Sequence, residues 1–226
     1  MTQTLTAPPL PSAATRLASP ATGRNVLLPN VTWDMYTDLL EAVGDGSTRL
    51  TYDNGWLEIE MPGWLHEMIA ALTGEIVTST LKRQRVTYIP GKSTTWRRLG
   101  ASRGLEADEC YYVQSVPQIR GKLELDLTVD PPPNLAIEVE VESPLLDKVA
   151  IYGALGVPEL WRVRVDGTCD MLLLDMGGQY QPIAASVAVP PLTSAIVSRY
   201  VRLLTETDFP AAVSQFEAEF LPTIRG

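Results

Sequence analysis

The stretch from Asn134 to Lys148, NLAIEVEVESPLLDK, decides how this chain is read. It alternates apolar and polar residues, the period-two pattern of a strand, with Leu135, Ile137, Val139 and Val141 on one face. The other face carries Glu138, Glu140 and Glu142. Same-face neighbours on a strand stand about 7 Å apart. Carboxylates in such a row repel one another, and glutamate is a poor strand former. Either that face is plain solvent-exposed surface, or a cation belongs on it. Lys148 lies ten residues after Glu138, in the first turn of a short helix expected over LLDKVAIYGAL and ended by Gly156 and Pro158. Ile151, Tyr152 and Leu155 follow it at helical spacing, so the lysine shares or borders the buried face. It either neutralises the carboxylates or holds a phosphate oxygen beside a metal.

Outward from this strand, the periodicities describe a mixed chain. TWDMYTDLLEAV reads as a helix, RLTYDNGWLEIEM as a β-hairpin about Asn54-Gly55, and WLHEMIAALTGEIVTSTLKRQ as the longest helix. Short strands are expected in VTYIP, STTWRR, ECYYVQ, ELWRVRV, CDMLLLDM and QYQPIAAS, and helices in LTSAIVSRYVRLLTE and AAVSQFEAEFL. The order implies an α/β or α+β domain built on a mixed sheet. Residues 1–28, rich in Pro, Ala, Ser and Thr, read as a flexible tail, 29–191 as the main domain and 192–226 as a C-terminal helical extension.

The bulk numbers narrow the function. A net charge of −9 over 226 residues argues against sequence-blind binding of nucleic acid through a broad basic surface. Cys110 and Cys169 sit apart among apolar residues, as buried thiols in a reducing cytoplasm would. No apolar run is long enough for a membrane span, and the N-terminus lacks a signal-peptide core. No P-loop or dinucleotide fingerprint is present.

Asp108, in GLEADECYYV, stands at the start of a strand, where a second carboxylate could join Glu138. Two carboxylates from adjacent strands suit a magnesium ion, which keeps several waters; manganese is equally compatible with oxygen ligands. Residue pattern alone leaves a surface reading open beside this one.

GLEADECYYV, DLTVDPPPNLAIEVEVESPLLDK and IYGALGVPELWR together resemble the Uma-type putative restriction endonucleases, of the PD-(D/E)XK nuclease superfamily. The resemblance runs from about Trp33 to about Pro191, and 131–162 is its most specific block. It implies a four-stranded mixed sheet flanked by helices, a divalent metal at its edge and hydrolysis of DNA. By the same resemblance Asp108 and Glu138 are the metal-binding acids, and Lys148 is a catalytic lysine displaced from the motif onto the next helix. Glu140 occupies the usual lysine place and is an accessory candidate, as are His66 and Glu67 on the long helix. Two departures stand out. Ala107 precedes Asp108 where proline is usual, and Asn134 replaces an aspartate that either assists the metal or caps the turn.

KSTTWRRLGASRG clusters basic residues around an aromatic, so Arg97, Arg98 and Trp96 are candidates for tracking and stacking on nucleic acid, against a solvated-loop reading. His66, the only histidine, is as a lone residue more readily structural. The acidic balance makes a homodimer or a partner the expected source of DNA affinity. The alternatives are a catalytically impaired nuclease fold acting as a binding or regulatory module, and Glu138, Glu140 and Lys148 as mere surface charge.

Overall fold

The hairpin signal closes as expected: Asn54 and Gly55 both take positive φ, 48° and 92°, as a tight primed turn requires. It joins β2 (Arg49–Asp53) to β3 (Trp56–Glu60) in full antiparallel register. The computed structural model describes residues 25–44, 46–141 and 143–224. Around the hairpin lies a five-stranded sheet with β1 (Val26–Pro29), β5 (Thr95–Arg98) and β6 (Arg103–Glu106), in the order β1-β3-β2-β6-β5. Helix α1 (Trp33–Val43) packs on it through Tyr36, whose ring stacks on Tyr52 at 4.9 Å.

A second, six-stranded sheet runs β11-β10-β9-β8-β7-β4. Its strands are β4 (Ile89–Pro90), β7 (Glu109–Tyr112), β8 (Leu135–Glu140), β9 (Glu159–Arg164), β10 (Cys169–Leu174) and β11 (Tyr180–Ile183). Only β8 and β9 pair in parallel. A parallel pair needs a crossover, supplied here by the short helix α4 (Lys148–Leu155). Asp147 caps its start and Gly156, at φ 80°, its end. The four-residue helix α3 (Val116–Ile119) lies between β7 and β8.

Both faces of β8 are covered. Leu135, Ile137 and Val139 face the long helix α2 (Trp64–Arg83) and the C-terminal helices α5 (Ser194–Glu206) and α6 (Phe209–Glu219). Ala136 lies in a second cluster with Ile151, Tyr152 and Leu155 of α4. The glutamate face of β8 is therefore roofed by a helix rather than wet.

Several expectations change. The sheet has six strands where the resemblance implied four, and a second sheet stands beside it. The tail boundary at residue 28 falls inside β1, which pairs with β3; residues 1–24 lie outside the described part, as does Glu142. The C-terminal helices are no appendage: Val197, Val201, Leu204 and Phe216 share one core with β8. Among the described residues no helix is long and apolar enough to cross a membrane.

Candidate active site

Between β6 and β7 the chain passes from the first sheet to the second, and Asp108 sits at that crossing. Its Oδ2 accepts the Val139 amide of β8 at 2.8 Å and lies 3.1 Å from His66 Nε2 on α2. Burial pushes the Asp108 carboxyl up, but the histidine bond, the charges of His66 and Lys148 and the amide together hold it below the ordinary value. For His66 burial pulls the other way, and Asp108, Glu60 and Glu67 leave it raised.

Glu138, on the next strand, is 1% exposed. Its Oε2 accepts from Lys148 Nζ at 2.9 Å, and its Oε1 from the Tyr152 hydroxyl one helical turn on. Burial, with the Asp108 charge, outweighs Lys148 and Tyr152 and lifts the Glu138 carboxyl to about 7. Lys148 also donates to Glu60 Oε2 at 3.0 Å, so its ammonium bridges the two sheets. Burial would lower it, yet Glu138, Glu60 and Asp108 hold it well above its ordinary value.

The turn that delivers Lys148 is itself held by a carboxylate. Glu58, fully buried on β3, accepts the Leu145 and Leu146 amides, each at 3.0 Å. Neither Glu58 nor Glu60 was singled out from sequence, although WLEIEM shows the same glutamate alternation as the opening stretch. Tyr152, read there only as a buried helix residue, proves to be the partner of Glu138.

The structure gathers Asp108, Glu138, Lys148 and His66, and gives the other candidates partners of their own. Glu140 is engaged by Arg162 through Nε and Nη2 at 2.7 and 3.1 Å, because in the parallel register it lies beside that arginine ladder. Asn134 Oδ1 accepts the Val113 and Ser115 amides at 2.9 and 3.0 Å, the geometry of a turn cap. Glu67 is half exposed, with Oε1 3.5 Å from His66 Nδ1. The nucleic-acid candidates in β5 are corrected in part. Trp96 is 2% exposed and packs edge-on against Tyr112, so it offers no face to a base. Arg98 donates to the Ala154 and Leu155 carbonyls at the end of α4, leaving only Arg97 exposed.

Among the described residues no three ligand-type side chains converge on one point. A magnesium ion needs only one or two carboxylates, with water for the rest. Glu60, Asp108 and Glu138 form an acidic surplus around one lysine, and Asp108 Oδ1 has no hydrogen-bond partner among the described residues. The donor chemistry therefore fits a hard, hydrated divalent ion. Asp108 borders a hollow of about 400 Å³, while Glu138 and Lys148 border another of about 320 Å³.

Comparison with known proteins bears on this arrangement. Residues 33–202 match the family model described as "Uma2: Putative restriction endonuclease". No curated protein matches the chain. A solved structure described as a putative nuclease belonging to DUF820 from Anabaena variabilis ATCC 29413 is similar at 15% identity, over 67% of this chain and 90% of that one. Its TM-score is 0.47, too remote a likeness to support any inference about the site.

Proposed function

The chain belongs to the Uma2 family, described as putative restriction endonucleases, and from that premise we propose that it is a divalent-metal-dependent endonuclease hydrolysing DNA phosphodiester bonds. The observation that carries the reading is the meeting of Asp108 from the sheet crossing, Glu138 from β8 and Lys148 from α4 in one buried, acid-rich neighbourhood. Asp108 and Glu138 would hold magnesium or manganese. When bound, the ion supplies Lewis-acid polarisation of the phosphoryl group and a more acidic water.

The remaining roles belong to the chain's own groups. Lys148, cationic and held between Glu138 and Glu60, stabilises negative charge building on a phosphoryl oxygen. His66 fixes the orientation of Asp108, and the Tyr152 hydroxyl that of Glu138. The buried setting strengthens each of these interactions relative to water.

The test is nicking of supercoiled plasmid at low salt with magnesium or manganese, with and without a chelator. Wild type should cut, and Glu138→Gln, Asp108→Asn and Lys148→Met should each lose about a hundredfold or more, as loss of a single charge-stabilising group commonly does. Cutting that survives in Glu138→Gln and Asp108→Asn, or that ignores the chelator, would refute the assignment.

A further inference from the structure

The hollow that Glu138 and Lys148 border is also walled by Arg162 and Arg164 of β9 and by Glu140. Parallel pairing sets Arg162 beside Glu138 and Arg164 beside Glu140, so two carboxylates and two guanidiniums stand side by side on one face of the sheet. Arg162 donates through Nε and Nη2 to the two oxygens of Glu140, while Arg164 Nε lies 3.5 Å from Glu140 Oε2 and its Nη2 donates to Asp170 Oδ2 at 2.6 Å. That fork-to-carboxylate geometry is the one a guanidinium offers a phosphate. Both arginines remain reachable: their side chains are 28% and 31% exposed. In a chain of net charge −9, three cations gather in one small hollow, balanced there by Glu138, Glu140 and Asp147.

We propose that Arg162 and Arg164 form a clamp for the phosphodiester backbone, taking a phosphate next to the scissile one, and that Glu140 is an internal counter-anion which the phosphate displaces. This rests on the nuclease reading and extends it to substrate binding. It also gives the glutamate alternation a division of labour: Glu138 faces the lysine, and Glu140 keeps the Arg162 fork extended until a phosphate arrives. With Glu140 in place the hollow holds little net charge, so a small anion gains little there. A polyanion with several phosphates competes better.

The experiment measures binding of a labelled mixed-sequence DNA duplex to the full chain across a salt series, with calcium in place of magnesium. Arg162→Gln and Arg164→Gln should each reduce the slope of log affinity against log salt by about 1, as loss of one phosphate contact does. Arg199→Gln, an exposed arginine of α5 paired with Glu219, controls for net charge and should leave the slope unchanged. Glu140→Gln should tighten binding by freeing the Arg162 fork, while Arg164 keeps its bond to Asp170; a purely structural ion pair predicts unchanged or weaker binding. Arg162→Lys keeps the charge without the fork, so it should retain the slope and lose affinity. An arginine variant that behaves like Arg199→Gln, or a Glu140→Gln variant that does not tighten, overturns the clamp and leaves the nuclease reading standing. A wild type that binds no duplex at any salt overturns both.

Discussion

Replacing Glu58 by alanine removes the acceptor for two amides in the turn before α4. Leu146 is 1% exposed, so its amide is left without water, while the half-buried Leu145 amide is partly rehydrated. A buried donor stranded in this way costs about 1–3 kcal/mol, and the second bond adds a smaller share. Together with the space left by the carboxylate, the loss is about 3 kcal/mol. For a domain of this size that lowers the melting temperature by about 6–12 °C. Glutamine should cost less than alanine, since it keeps one acceptor and has no charge to desolvate. The pH dependence follows. Burial raises the Glu58 carboxyl despite the amides and Lys148, so the folded state binds its proton more tightly than the unfolded chain. Glu58 then contributes most at low pH, and its contribution declines as pH rises from the ordinary value of 4.5 through the folded one. The stability advantage of wild type over Glu58→Gln should therefore shrink with rising pH. Urea unfolding at several pH values, with amide exchange at Leu145 and Leu146, measures both effects. A loss below about 1 kcal/mol for Glu58→Ala, within the range of ordinary surface changes, or an advantage that grows with pH, would refute this account.

Glu159 is a second buried carboxylate, accepting from Trp161 Nε1, the Ser186 hydroxyl and the Val187 and Ala188 amides at 2.6–2.9 Å. Glu159→Ala should destabilise by about 3–5 kcal/mol in urea unfolding, because several donors lose one shared charged acceptor. Asn134→Asp should change stability by less than about 1 kcal/mol and leave plasmid nicking unchanged, since the aspartate can accept the same two amides. A gain of cutting in that variant would show that the position serves the metal.

Much of the architecture was legible because hydrophobic period and turn chemistry coincide: the Asn54-Gly55 hairpin, α2 and α4 all lie where the pattern places them. β6 escaped because its four residues are RGLE, too short and too polar to show alternation. β1 escaped because it borders a Pro-rich segment and holds its place only by pairing with β3. The carboxylate and lysine roles of Glu138, Asp108 and Lys148 came from resemblance. The Glu138–Lys148 pair lies within the opening stretch and its spacing pointed to it, but Glu60 and His66, partners of Lys148 and Asp108 far off in sequence, have no local pattern that records them. Trp96 misled for the opposite reason: a basic neighbourhood in sequence lies on alternating faces of β5, so the tryptophan points inward while Arg97 points out.

The crossing at Asp108 has a consequence for synthesis. The groups of the proposed site are drawn from Glu60 to Tyr152, across both sheets and two helices, and near neighbours alone do not complete the arrangement. A nascent chain that has emerged only as far as β7 has paired strands from the hairpin, but Lys148 is still to come. Such long-range closure is slow and comes late in folding. On the proposed nuclease reading, cutting would require the chain through α4 to be released and both sheets to be docked. If the proposal holds, a truncated or half-folded copy leaves the DNA of the cell that makes it intact.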